Sequence, residues 1–298
     1  MKPALRHDLS SAPIWMAMAG AILLTIMDAI MKGLSDRFAT IDLVAGRYVF
    51  GVVWSVPLAV VVRPPWPGAA MLRAHLLRTL VVVLTALCFF YSLSVLSLVE
   101  AVVFSYLAPV FMALLGRVML GEKVAPAVAL AIAVSFAGVL VIAAGKGLGV
   151  STLGRDLWGV AAALAAALFY ALAMVMLRAR TSSDHLVGIV ALQNLIAMAY
   201  VLPFSLALGD PGALVAAHWP WLLAAGFLGT FGHLCYAGAF KRAPAAKVGT
   251  VEYTNFIWAS AIGYIAFREL PTWSAAAGAA LIVLGSLILF VKRRPAPA

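Results

Sequence analysis

Charge is scarce in this sequence: 21 Lys and Arg and 11 Asp and Glu among 298 residues make only 11% charged, against about a quarter in soluble domains. A water-facing surface of ordinary size cannot be built from so few. Cysteine occurs twice, at Cys88 and Cys235, each inside an apolar run. That excludes a disulfide framework and leaves two small buried thiols as the plainer reading. The five histidines, at 7, 75, 185, 218 and 233, are scattered, with no HExxH or paired-cysteine ligand spacing, so no metal is expected. Gly145-Lys146-Gly147 lacks both the upstream glycine spacing and the Ser or Thr of a phosphate-cradling loop, which excludes an ATP site. Gly149-Val150-Ser151-Thr152-Leu153 misses the serine-hydrolase elbow, because Gly154 comes one residue late. No catalytic residue and no cofactor are expected, and the chain is not read as an enzyme. A gradient, of the solute itself or of protons, is the energy source left.

What is abundant is apolar sequence, 65% of residues, with a mean hydropathy of +1.06. Lipid offers the backbone no hydrogen-bond partner, so a span takes about 20 residues as helix, and this length holds roughly ten. Cutting at polar, Pro and Gly punctuation predicts spans near 13–33, 41–62, 76–96, 100–120 and 125–144. After a linker the rhythm repeats near 157–178, 186–207, 219–239, 247–267 and 273–291. Lys2 and Arg6 before the apolar stretch Ile14 to Met31 resemble a signal peptide, but the many spans that follow make it an uncleaved first span.

The halves match residue by residue. Trp15 falls on Trp158, Tyr91 on Tyr236, Gly116 on Gly263, Glu122 on Glu269 and Gly138 on Gly285, the offset drifting from 143 to 147. Slow drift is what small insertions in a duplicated unit produce. The expected organisation is a first repeat at 1–145, a linker loop at 146–156 and a second repeat at 157–298. An odd number of spans per unit inverts the second copy. The fold class expected is thus an all-α membrane protein with ten transmembrane helices as two inverted five-helix repeats, a ground plan of secondary transporters whose site lies near the midplane. The formal net charge of +10 fits this plan better than nucleic-acid binding. With the N-terminus inside, 15 basic residues fall on the cytoplasmic side and 6 on the other, which accounts for all 21. Both termini are then cytoplasmic.

An ionisable side chain at the bilayer centre costs about 2.5 to 3.5 kcal/mol, so each needs a partner or a wet cavity. Asp28 with Lys32 on the first span, Arg47 on the second and Glu100 opening the fourth fall in one half of the membrane. They form either a charge cluster locking helix ends or a gating network. Glu252 shares a face with Asn255 and Phe256; it is a neutral, protonated or Lys247-paired helix-end carboxyl, or a proton carrier. On the eighth span Gly229, His233, Tyr236 and Phe240 make one stripe. Tyr91 and Tyr170 add aromatic surface, Trp15 and Trp158 read as interface anchors, and Gln193 and Asn194 as hydrogen-bonding groups between helices or to substrate. The candidate substrate-binding set is Tyr91, Tyr170, His233, Tyr236, Glu252, Asn255 and Phe256. Pro109 frees a backbone carbonyl mid-span and is the candidate hinge. Small-residue rows, Ala161 with Ala165, Ala162 with Ala166, and Gly226 with Gly229, read as generic helix packing.

The stretch from Tyr91 to Lys123, with Leu93, Leu98, Glu100, Ala101, Pro109, Val110, Ala113, Gly116 and Leu120-Gly121-Glu122-Lys123, resembles the EamA domain of the drug/metabolite transporter superfamily. Gly138 and Gly285 fall on the glycine of its fifth helix. The resemblance covers nearly the whole chain as two copies. The second departs from it, with Phe256 for the proline and Phe267-Arg268-Glu269 for Leu-Gly-Glu. It implies ten helices, cytoplasmic termini, inverted repeats around a central cavity, and export of amino acids or other metabolites across the inner membrane by alternating access. Glu122 and Glu269 match the family's helix-end glutamate and read as structural. The mix of Tyr, Phe, His and Asn favours hydrophobic or aromatic amino acids. Alternatives are an importer of a vitamin, a nucleotide-like compound or S-adenosylmethionine, and a membrane-embedded enzyme or scaffold with structural charges. The expected partners are a small-molecule substrate and the lipid bilayer, with no nucleic acid and no obligate protein partner.

Overall fold

In the computed structural model the described residues are 12–108, 110–111, 114–115, 126–145, 153–178, 184–242, 251 and 254–291. They form ten α-helices: α1 Ala12–Ser35, α2 Thr40–Val62, α3 Ala69–Leu93, α4 Leu98–Ser105, α5 Pro126–Gly145, α6 Leu153–Arg178, α7 Leu186–Leu208, α8 Pro211–Arg242, α9 Asn255–Phe267 and α10 Trp273–Val291. Six of them, α1, α2, α3, α6, α7 and α8, are long and apolar enough to cross a bilayer. Large apolar side chains such as Val60, Leu77, Phe204 and Ile265 stand exposed on the outer surface. Water would penalise that surface and lipid does not, so the chain is a multi-pass membrane protein.

Local chemistry sets the helix ends. Ser97 caps α4 in a reciprocal box: its side chain accepts from the Glu100 N–H, and the Glu100 carboxylate accepts from the Ser97 N–H at 3.0 Å. α4 ends at Ser105. α2 ends in a left-handed Arg63 followed by Pro64 and Pro65. Asp210 accepts from the Ala213 N–H at 3.0 Å and caps α8, which opens on Pro211. Inside α8, His218 leaves helical geometry two residues before Pro220, a kink with a proline cause.

Two helices begin about two turns earlier than the hydropathy cut. α3 starts at Ala69 and α8 at Pro211, where polar or proline-bearing turns (Arg73 and His75; His218 and Pro220) precede the apolar core of each span. Arg78, expected at the cytoplasmic end of its span, therefore lies ten positions into α3 and is buried.

The two halves pack helix on helix. α1 packs on α8 and α3 on α6; α2 packs on α7 and as closely on α8, α4 on α9 and α5 on α10. First-half helices 1, 2, 3, 4 and 5 thus meet second-half helices 3, 2, 1, 4 and 5. Close crossings use the small residues. Gly20 of α1 and Gly232 of α8 each face the other's carbonyl, and Gly226 lies against the α2 backbone at Phe50. Asn194 of α7 donates to the Gly51 carbonyl at 3.3 Å and to the Thr230 hydroxyl at 3.2 Å, tying α7 to α2 and α8. The core, including Tyr48, Leu93, Phe104 and Leu222, sits between the halves.

Candidate functional site

Between the halves lies a cavity of about 240 Å³. Its wall takes residues from α1 to α4 and from α6 to α9, while α5 and α10 pack on each other outside it. Most of the lining is apolar or aromatic: Tyr48, Phe89, Phe90, Tyr106, Tyr170, Tyr236 and Phe240 surround small residues such as Ala86, Ala166 and Ala167. Tyr236 and Phe240 stack one helical turn apart, their centroids 6.2 Å from each other. The two threonines on the wall are spent on their own helices, Thr25 donating to the Ala21 carbonyl at 2.8 Å and Thr85 to that of Val81 at 2.9 Å.

Polar groups enter this wall at a few points: Asp28, Arg47, Arg78, Gln193, His233 and Asn255. Arg47 is buried, its Nε 3.2 Å from the Met27 sulfur and its guanidinium 4.3 Å over the Tyr48 ring. Its Nη1 has no hydrogen-bond partner among the described residues. Asp28, the chain neighbour of Met27, lines the same cavity. Arg78 Nη2 donates to Gln193 Oε1 at 3.0 Å and Nε to His75 Nδ1 at 3.4 Å, while His75 Nε2 faces Asp184 Oδ2 at 3.1 Å. A chain of four polar side chains therefore runs from the start of α7 along α3 to the cavity. His233 Nδ1 lies 2.7 Å from the Gly229 carbonyl, which can only accept, so this nitrogen carries the proton. Asn255 Oδ1 is buried without a partner among the described residues.

Of the residues expected at the site, Tyr170, His233, Tyr236 and Asn255 line the cavity, together with Asp28 and Arg47. Tyr91 is on an exposed face of α3, and Phe256 packs against the main apolar core instead. Glu252 and Pro109 lie outside the described residues, as does Glu122. The expected charge network divides. Lys32 turns away from Asp28 to Glu269, and Glu100 is held in the α4 cap, so Asp28 and Arg47 alone reach the cavity. Trp15 and Trp158 are both exposed. Sequence reasoning missed Arg78, Tyr48 and the Phe89-Phe90 pair. The available signal was His75 three residues before Arg78, one helical turn away on the same face.

A wall shared by both halves, dry on most sides and polar at a few points, suits a small amphipathic solute. The sequence pattern of the EamA-like transporter family matches residues 11–144 and again 157–291. The chain belongs to this family. Similar proteins include the pseudopaline exporter CntI of Pseudomonas aeruginosa, 25% identical over 95% of this chain and 97% of that one. An uncharacterized transporter of Helicobacter pylori is 28% identical over 71% of each chain. Human solute carrier family 35 member G1 is 25% identical over 94% of this chain and 79% of its own length. A crystal structure of a protein 20% identical superposes with a TM-score of 0.63, covering 96% of this chain and 99% of the other, which shows the shared fold. The protein is thus a membrane transporter of the EamA group, acting on small molecules.

Proposed function

We propose that this transporter exports small metabolites, foremost amino acids with hydrophobic or aromatic side chains, across the inner membrane by alternating access. In this reading ten helices span the bilayer as two inverted five-helix repeats with both chain ends in the cytoplasm, and a gradient of substrate or protons drives the cycle. The observation that carries the proposal is the cavity itself, lined by four helices from each half and walled by Tyr, Phe and Ala around isolated polar groups. Rocking one half against the other around such a site would expose it to each side in turn. That a relative of nearly equal length is named an exporter supports the outward direction.

Purified protein in proteoliposomes loaded with a mixture of labelled amino acids and other metabolites should release a subset faster than protein-free vesicles. Tagged chain ends should both be shielded in intact cells. Absence of flux for every solute would end the transport reading of this cavity, and ends on opposite faces would end the inverted ten-span plan.

A further inference from the structure

Arg47 is a fork of five N–H donors enclosed by protein, and the described residues leave its Nη1 without an acceptor. Its Nε spends a proton on a thioether, a weak acceptor, at 3.2 Å, and its flat face rests on Tyr48. A buried donor left unmade is costly, and one on a guanidinium more so. Arg78, on the neighbouring wall, is also turned to the cavity and is held in place by Gln193 and His75. Asn255 brings the opposite deficit, a buried oxygen with no donor among the described residues. Asp28 adds a carboxyl group to the same wall. One cavity therefore presents an unmet donor from α2, an unmet acceptor from α9 and the Asp28 carboxyl group of α1, set in a largely aromatic and apolar wall.

We infer that Arg47 is the anchor for a substrate carboxylate, with Arg78 as the second cation, and that Asp28 and Asn255 receive the substrate's ammonium group. A guanidinium takes a carboxylate in two parallel bonds, which a lysine ammonium does not reproduce. The solute class follows: compounds that bear a carboxylate, α-amino acids among them, with an apolar or aromatic body. Amines that lack the carboxylate are rejected, because they would leave Arg47 Nη1 without an acceptor and add a third positive charge beside Arg47 and Arg78. This assignment rests on the transporter reading above and adds its chemical selectivity.

The test uses the full chain in proteoliposomes loaded with equal amounts of tyrosine, 3-(4-hydroxyphenyl)propionate, tyramine, glutamate and putrescine, efflux being followed by mass spectrometry against protein-free vesicles. The expected order for the three phenolic compounds is tyrosine, then the acid without the amine, with tyramine at the protein-free rate. Arg47→Lys, which keeps the charge and loses the fork, should weaken tyrosine efflux at subsaturating load roughly tenfold to a hundredfold. Asp28→Asn should narrow the gap between tyrosine and its deaminated acid. Thermal unfolding in detergent reports whether each variant is folded, and the selectivity of the unmodified protein is decisive even where a variant is not. Export of tyramine or putrescine as fast as of tyrosine overturns the carboxylate anchor and leaves the transporter standing. So does folded Arg47→Lys with unchanged tyrosine efflux. Release of no compound at all overturns transport, and the anchor with it.

Discussion

Lys32 Nζ lies 3.2 Å from Glu269 Oε1, an ion pair that joins the last turn of α1 to the second residue past α9 in the other half of the chain. Both groups have further partners. The lysine donates to the carbonyls of Leu93 and Leu96, at 3.2 and 2.7 Å, and Glu269 Oε2 accepts from the Leu98 N–H at 3.1 Å. The α3–α4 turn is thereby clamped between two charges, and the Phe267 ring lies 5.5 Å from the ammonium. Hydrogen bonds to charged groups contribute about 1.5–3 kcal/mol when sheltered. Glu269→Ala and Lys32→Ala should each lower stability by about 2 kcal/mol, and the double variant should lose less than the sum, as a double-mutant cycle of thermal unfolding would read. Additive losses would show that the two residues act separately.

Asp42 is a second staple, near the start of α2. Its buried carboxylate accepts from the Ser205 hydroxyl at 2.6 Å and from the Asp210 N–H at 3.0 Å, binding the α7–α8 turn to α2. Gly209 passes so close to this carboxylate that a Cβ there would overlap it. Asp42→Ala strands two donors and should cost roughly 2 to 4 kcal/mol, with Asp42→Asn between it and the parent. Gly209→Ala should also destabilise, through overlap with the Asp42 carboxylate. Unfolding curves of the three variants check the order, and an Asp42→Ala protein as stable as the parent would refute it.

The helical class and the duplicated plan were legible because lipid leaves so few options: twenty-residue apolar stretches, punctuated by Gly, Pro and charge, have one common reading. The family's two matched segments, 11–144 and 157–291, follow the same rhythm. The wall of the cavity was only half legible. Stripes at helical spacing pointed to His233 and Tyr236, since periodicity shows which residues share a face. It does not show which face meets the other half, so Phe256, which shares a helical face with Asn255, packs into the core instead, and Tyr91, an aromatic candidate by residue type alone, stands exposed on α3. Arg78 was hidden for another reason. A basic residue near an apolar boundary reads as an interface anchor, and only the extra turns of α3, from Ala69, carry it inside.

Gly138 of α5 and Gly278 of α10 oppose each other so closely that a Cβ on either would come within 2.6 Å of the other's carbonyl oxygen. Backbone cannot step aside as a flexible side chain can. Gly138→Ala and Gly278→Ala should therefore each separate α5 from α10 and cost about 1–3 kcal/mol. Since none of the described residues of either helix lines the cavity, transport by the folded fraction should be unchanged. The comparison to make is folded yield against efflux rate per folded molecule. A lower rate with a normal yield would mean that α5 and α10 act on the cavity after all.

Gly226 and Gly229 lie one turn apart on α8, and their surroundings predict opposite failures. A Cβ at Gly226 would meet the α2 backbone, 2.5 Å from the Phe50 carbonyl oxygen, so Gly226→Ala forces two helices apart and should reduce the folded yield. A Cβ at Gly229 would meet side-chain ends, the Met27 sulfur at 2.9 Å and the Arg47 Nη2 at 3.3 Å. Those ends can move, so Gly229→Ala should fold. It would do so by pushing aside the guanidinium and the thioether that positions it. With Arg47 displaced, the substrate concentration for half-maximal efflux should rise on the order of tenfold, about the worth of one charge-assisted hydrogen bond. The maximal rate should change less, because the groups that close the cavity are untouched. Efflux measured over a range of internal tyrosine concentrations separates the two quantities. A folded Gly229→Ala protein with unaltered half-saturation would place substrate away from Arg47.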